Sequence, residues 1–456
     1  MVNNKAMVDG RMLAEKTKEE LIEIILGLYK EVEELKQKVK EEQEKRVEKF
    51  AKPNTSKKRK HPPGQKFGHI GITRHIPDQI DEVIEETLHE CPDCHHPLSN
   101  PVEVIEHIQE DIIPAKVHVR KYRRHRYYCP CCQKVITAPY HPQHVPQGYL
   151  GANVLIQAAI LKYYHCLPYD KIVELFRDMA GLKVSAGGLS QALARISRWM
   201  GVERKVLLEA IRGSPQVHVD ETGWRLDGKK SWVWAFANEL LAYYTVDRSR
   251  GRKVVREVLT DRFKGVLISD FYGVYFNLPY RKQKCLVHLL REFHDCAKRD
   301  ASQEYQENYK KIKRLINDAL RLREKHGHIN KIAYLRRVAA IKQRLFDFMT
   351  YPYKNKNLNR LSKRFSKFWL DMFTFLQDPK VAWNNNLAER MIRPNVIYRN
   401  RSFGNRSLRG AEAHATLMSL IQTLTLRKQD AAKFLRTSFI HHRQGNLTPL
   451  LSLSTW

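Results

Sequence analysis

Apolar and polar residues alternate along Val217–Trp224 (VHVDETGW), with Val217 and Val219 on one side and His218 and Asp220 on the other. That period predicts a half-buried strand, running into a turn at Thr222-Gly223. A second apolar run, GVLISD at 265–270, ends in Asp270 and enters an aromatic-rich segment, FYGVYF. Between the two, SWVWAFA (231–237) and LAYYTV (241–246) predict a hairpin through Asn238-Glu239. Residues 252–263 then place Val254, Val255, Val258, Leu259 and Phe263 on one face between Gly251 and Gly265, which predicts a helix. The predicted order is strand, strand, strand, helix, strand.

Helical periods dominate elsewhere. Leu21, Leu28 and Leu35 share one heptad position and Ile25, Val32 and Val39 another, which predicts a short coiled coil and self-association. Within 151–200, Val154, Ala158 and Leu161 mark an apolar face, and Tyr169–Met179 and Gly188–Trp199 are two further helices around AGLKVSAGG. This cluster fits a helix-turn-helix DNA reader and a structural bundle alike. Residues 301–380 are helical and basic, with Leu315, Ile316, Ala319, Leu320 and Leu322 as their apolar stripe. In VAWNNNLAERMIRP (381–394), Asn384–Asn386 offer helix caps and Pro394 is expected to end the helix. Glu389 shares a face with Asn386 and Arg393, while Leu387 and Met391 turn to the core. A surface glutamate paired with Arg393 is the plain alternative for that residue.

The strand order matches the front half of a ribonuclease-H-like α/β domain. In such a sheet the first and fourth strands are neighbours, so Asp220 and Asp270 would meet. The competing reading is an ordinary strand-end aspartate opening a turn. Residues 284–288 (KCLVH) read as a short strand. Cys285 and His288 have CxxH spacing without a second half, and so read as a packed strand end supporting the acidic cleft rather than as a metal site.

Charge narrows the function. Lys and Arg number 80 against 49 Asp and Glu, a formal charge of +31, which calls for a polyanionic partner. The clearest basic run is Lys57, Lys58, Arg59 and Lys60, in a Pro- and Gly-broken stretch that reads as a linker or arm. Cys91-Pro-Asp-Cys94 and Cys129-Pro-Cys-Cys132 form two CxxC knuckles, able to complete the tetrahedral thiolate shell of a structural Zn²⁺. Between them KVHVRKYRRHR, with Arg123 and Arg124, mixes basic and aromatic residues as a phosphate-gripping face would. No apolar run approaches the roughly twenty residues that span a bilayer, and the N-terminus lacks a signal-peptide core. A cytoplasmic, DNA-associated protein with reduced or metal-bound cysteines is expected.

Taken in order, the heptads, PPGQKFGHIGITR, the two knuckles, VHVDETGW, GVLISDFYGVY, CLVHLLREF, NNLAERMIRP, RSFGNRSLRGAEAHATLMSLIQTL and the final SLSTW resemble the DDE transposases of insertion-sequence family sixty-six. The resemblance covers nearly the whole chain. It implies that Asp220, Asp270 and Glu389 are a catalytic triad holding two Mg²⁺ (or Mn²⁺) ions. Arg390, Arg393 and Arg399 would steady DNA. The partners implied are the element's DNA ends and target DNA, a second copy of the chain, and companion proteins of the same element. Two departures touch the neighbouring contacts: CLVHLLREF stands where the family has a CWAHARRKF-like segment, and Arg399-Asn-Arg401 stands in place of RKN.

The expected architecture is multidomain α/β. A coiled-coil helix (1–44), a basic linker (45–79), a zinc ribbon (80–140) and a helix-turn-helix-like region (141–212) precede the catalytic domain. That domain spans 213–300 and 381–430, interrupted by the helical insertion 301–380 and followed by a tail, 431–456. A zinc-containing DNA-binding regulator without catalysis, a nuclease of the same fold without strand transfer, and an inactive transposase remnant are the alternatives.

Overall fold

The computed structural model describes residues 79–443 except 100, 101, 111, 114, 146 and 147, and also residues 445, 446 and 448–451. The heptads, the linker with Lys57, Lys58, Arg59 and Lys60, and the final SLSTW lie outside the described residues. The described residues from 79 to 117 belong to a unit separate from the larger one that contains the described residues from 118 onward. In the smaller unit the described chain is largely irregular, and a bridge between Glu90 and Pro97 closes the turn that carries Cys91 and Cys94.

The larger unit opens with the hairpin β1 (Arg126–Cys129) and β2 (Lys134–Thr137), followed by helices α1 (Ala152–Tyr163), α2 (Tyr169–Ala180), α3 (Ala186–Trp199) and α4 (Gly201–Gly213). A five-stranded mixed sheet follows: β3 (Gln216–Leu226), β4 (Lys229–Ala237), β5 (Ala242–Asp247), β6 (Val266–Ser269) and β7 (Arg281–Lys284), in the order β5-β4-β3-β6-β7. The β3–β4 and β4–β5 pairs are antiparallel, and the β3–β6 and β6–β7 pairs are parallel. Helix α5 (Arg252–Leu259) makes the crossover to β6. It is shorter than its apolar period predicts, because Thr260 turns to a φ of 55° and breaks the helix before Phe263.

The turn expected at Thr222-Gly223 is not there. Both residues stay in the ladder, opposite Val233 and Trp232, and the strand runs on to Leu226. The hairpin turns instead at Asp227-Gly228, where both φ angles are positive (54° and 67°), as a tight two-residue connection requires.

Seven helices complete the unit: α6 (Leu286–Ala297), α7 (Gln303–Glu324), α8 (Lys331–Thr350), α9 (Lys356–Met372), α10 (Asn386–Ser402), α11 (Leu408–Leu426) and α12 (Ala431–Arg443). That makes twelve α-helices among the described residues, none of them long and apolar enough to cross a membrane. Side chains of Ser302, Asn330 and Asn355 cap the first turns of α7, α8 and α9, and fix where each helix starts.

Two cores flank the sheet. Val217, Val219 and Leu267 join one with α1–α5 and α10–α12, while Val266 and Ile268 join the other with α6–α9. Helices α1–α4 therefore share a core with the sheet. Helix α11 covers the edge strand: Ser419 and Thr423, one turn apart, accept the N–H groups of Tyr244 and Ala242 at 2.8 and 3.0 Å. Those donors would otherwise form an open, sticky edge.

Candidate active site

Strands β3 and β6 run parallel, with Gln216 beside Val266, Val217 beside Leu267 and His218 beside Ile268. That ladder ends at His218 and Ile268 and β6 ends at Ser269, so Asp220 and Asp270 stand just beyond it, close enough for the Asp270 charge to act on the Asp220 carboxyl. Alternation puts both carboxylates on the face that His218 and Ile268 share. Local hydrogen bonds orient them: Asp220 Oδ1 accepts Glu221 N–H and Asp270 Oδ1 accepts Tyr272 N–H, both at 2.9 Å.

Glu389 comes from the first turn of α10, and Asn385 sets where that turn begins. Fully buried, Asn385 donates Nδ2–H to the Val219 carbonyl at 2.8 Å and faces Nδ1 of His218 with its Oδ1 at 3.2 Å. Its backbone N–H reaches Cys285 Sγ at 3.1 Å, and its carbonyl accepts the N–H of Glu389 itself at 3.2 Å. The residue is the N-cap by position, yet its side chain makes no capping bond. It is spent on β3, one residue before Asp220. His218 is nearly wholly buried, and burial pulls its pKa down to about 4. It is therefore neutral, with the proton on Nδ1 facing Asn385.

Pro394 does not end α10. The helix continues to Ser402, with Ile392, Asn395 and Tyr398 buried around the proline. A proline costs a helix interior about 3 kcal/mol, and burial of that face outweighs it.

Electrostatically the cleft is crowded. Burial pushes the Asp220 carboxyl up to about 7, and the charges of Glu221, Asp270 and Glu389 push the same way. Burial also raises Glu221, against the Tyr275 hydroxyl that donates to it and the Arg250 guanidinium at 2.9 Å. Beneath Asp270 lies Lys284, fully buried, its ammonium donating to Ser269 Oγ at 2.9 Å and to the Asp270 carbonyl at 2.8 Å. Burial draws its pKa down to about 8.

The nearest base to Glu389 is His288, with Nδ1 at 3.5 Å from Oε1, rather than Arg393. His288 lies in α6 and not on a strand, because the chain turns helical immediately after Cys285. The expected packed strand end is thus a helix start, and Cys285, His288 and Glu389 bring their ligand atoms within 4.8 Å of one another. Glu389 Oε1 is buried with no hydrogen-bond donor among the described residues. Buried oxygens normally have partners; among the described residues Asp220, Asp270 and Glu389 do not all bring their oxygens within 4.8 Å of one another, and the repulsion of Asp270 and Glu389 on the Asp220 carboxyl is what a divalent cation with oxygen ligands would relieve.

Of the arginines expected at DNA, Arg123, Arg390 and Arg393 are exposed. Arg124 instead grips the Ala138 carbonyl at 2.8 and 3.0 Å and lies over the Tyr140 ring. Arg399 donates from Nη1 to Thr222 Oγ1 and the Gly223 carbonyl at 3.0 and 2.9 Å, so it pins α10 to β3.

Each cysteine knuckle favours thiolate locally. The backbone N–H of Cys94 holds the Cys91 thiol below its usual range, and that of Cys132 does the same for Cys129. Such N–H donors suit metal-binding sulfur.

Sequence reasoning passed over His218, Glu221, Asn385 and Lys284. His218 and Glu221 flank Asp220, and alternation alone could not say that either is buried. Asn385 carried a usable signal in the triple asparagine before Glu389, but it pointed to capping.

Comparison with known proteins adds two family matches. The profile described as "Transposase IS66 family" matches residues 147–413, and "zinc-finger binding domain of transposase IS66" matches residues 89–133. The second span contains all four knuckle cysteines and supports a structural zinc. Among curated relatives, uncharacterized protein y4jD of Sinorhizobium fredii is 26% identical over 390 residues, covering 79% of this chain and 75% of its own length. Uncharacterized protein y4qI of the same organism is 25% identical over 412 residues, covering 82% and 74%.

Proposed function

The chain belongs to the IS66 transposase family, and from that premise we propose that it cuts and joins DNA through Asp220, Asp270 and Glu389 on a ribonuclease-H-like sheet. One observation carries the reading. Strands β3 and β6 run parallel and in register as far as His218 and Ile268, two residues before Asp220 and Asp270, and the helix bearing the glutamate is tied to β3 by Asn385. The strand order, with the first and fourth strands adjacent, supports the fold assignment.

In this reading Asp220 and Asp270 would hold one Mg²⁺ or Mn²⁺, and Glu389 would contribute to a second. Bound there, the ions would lower the barrier to phosphoryl transfer by activating water or a 3′-hydroxyl and by stabilising the leaving oxygen. The protein's own groups do the rest. Asn385 and His218 hold the start of α10, Lys284 fixes the Asp270 backbone, and Glu221 is neutralised by Arg250 and Tyr275. Arg390 and Arg393, exposed just beyond Glu389, meet the DNA phosphates. Cys91, Cys94, Cys129 and Cys132 are the proposed zinc ligands of a DNA-binding module. Pairing of two DNA ends calls for at least two copies of the chain.

The test is joining. Labelled DNA carrying the flanks of this protein's own gene is incubated with the protein, Mg²⁺ and an unlabelled plasmid. Cuts at a repeated terminal sequence, followed by label covalently joined to the plasmid, are expected. Cuts without joined product would make the protein a nuclease. Tight binding without cuts would favour a regulator.

A further inference from the structure

Cys285, His288 and Glu389 present a thiol, an imidazole nitrogen and a carboxylate oxygen, all within 4.8 Å of one another. Cys285 stands at the N-cap of α6, fully buried. Its sulfur faces three backbone N–H groups, from Val287, His288 and Asn385. Amides two and three residues beyond a cysteine also surround Cys91 and Cys129, although burial raises the Cys285 thiol where the two knuckle thiols are lowered. One helical turn on, His288 Nδ1 is buried without a hydrogen bond among the described residues, and so is Glu389 Oε1 opposite it. At 3.5 Å the two atoms make only a weak contact with each other beside the sulfur, a costly arrangement for atoms that water does not reach. A metal ion bound by all three removes the cost.

The donor set says which metal. Mg²⁺ takes oxygen ligands and has no use for sulfur, whereas Zn²⁺ takes sulfur, imidazole and carboxylate together and fills a fourth position with water. We propose that Cys285, His288 and Glu389 form a zinc site distinct from the cysteine knuckles, and that zinc bound there withdraws Glu389 from the acidic cleft and inhibits the Mg²⁺-dependent reaction. The inhibition rests on the assignment of Glu389 as the third catalytic acid; the binding of zinc does not.

Full-length protein is first loaded with zinc and stripped of loose metal, so that metal per chain can be counted beside Cys285→Ser and His288→Gln. Wild type should hold one more equivalent than either variant. Cobalt offered to protein whose knuckles are already zinc-filled should give a near-ultraviolet thiolate-to-cobalt band in wild type and none in Cys285→Ser. Thermal melts confirm that each variant is folded, and His288→Gln, at a half-exposed position, guards against a misfolded Cys285→Ser. Equal metal content in all three proteins, or an unchanged cobalt band, would overturn the site. On cleavage, micromolar zinc at saturating Mg²⁺ should slow wild type at least tenfold and His288→Gln far less, each against its own zinc-free rate. An extra equivalent with uninhibited cleavage would overturn the withdrawal of Glu389. Absence of cleavage by every protein, with the extra equivalent intact, would defeat the catalytic reading and leave the zinc site standing.

Discussion

Replacing Asn385 with alanine isolates the device that sets Glu389 in place. The substitution removes the Nδ2 donor to the Val219 carbonyl and the Oδ1 acceptor for His218, and spares the backbone bond to Cys285. Both abandoned partners belong to the buried stretch of β3, and His218 is only 4% exposed, so water does not replace what is removed. Leaving a buried polar group unpaired costs about 1–3 kcal/mol. Two such groups put the loss at about 3 kcal/mol, a large share of the roughly 5–15 kcal/mol by which domains are stable. The start of α10 would then lose both side-chain ties to β3 that Asn385 makes, and a catalytic group displaced by about 1 Å commonly loses about a hundredfold in rate. Urea unfolding followed by tryptophan fluorescence measures the first effect, and single-turnover DNA cleavage well below the melting temperature measures the second. Should Asn385→Ala unfold within about 0.5 kcal/mol of wild type, the usual range for an inconsequential site, and cleave at the wild-type rate, the positioning argument is wrong.

Three further outcomes follow from the same geometry. His414, wholly buried with Nε2 at 2.7 Å from Asn395 Oδ1, has its pKa drawn down to about 3 by burial, against an ordinary value of 6.5. Between those values the unfolded chain binds the proton more readily, so stability falls as pH falls; melts from neutral pH downward should show this, with a shallower slope in His414→Gln. Glu203 is buried and accepts from His442 at 2.9 Å and from the N–H groups of Leu450 and Leu451 at 2.8 and 3.0 Å. Glu203→Ala should release that segment, cost about 3 kcal/mol in urea unfolding and speed its proteolysis, and an unchanged unfolding midpoint would count against the anchor. Arg393→Ala should weaken DNA binding and lower the salt slope by about 0.9 for each phosphate left without its cation. Arg399→Ala should mainly lower stability, and the reverse pattern would exchange the two roles.

How much of this was readable from residues alone depends on how far each one acts. Period-two alternation exposed β3 and the face carrying Asp220, and the run ending at Asp270 exposed β6, because both are local patterns. The parallel pairing that brings the two acids near each other follows from one crossover helix. The errors came where tertiary contacts overrule a local signal. Thr222-Gly223 reads as a turn, but Arg399 from a distant helix bonds both residues and keeps them in the ladder. Pro394 reads as a stop, but the buried face around it holds the helix together. Asn385 reads as a cap because nothing local shows that β3 lies within its reach. Cys285 and His288 look like half a motif, since their third partner is about a hundred residues away, on α10.

Whether Asp220, Asp270 and Glu389 act together on DNA is decided by measuring binding and cleavage side by side in Asp220→Asn, Asp270→Asn and Glu389→Gln. Each swap keeps the side chain's shape and removes its charge. All three are expected to bind end DNA about as tightly as wild type, and none to cut it with Mg²⁺. Wild-type cleavage by any one of them would contradict that joint action.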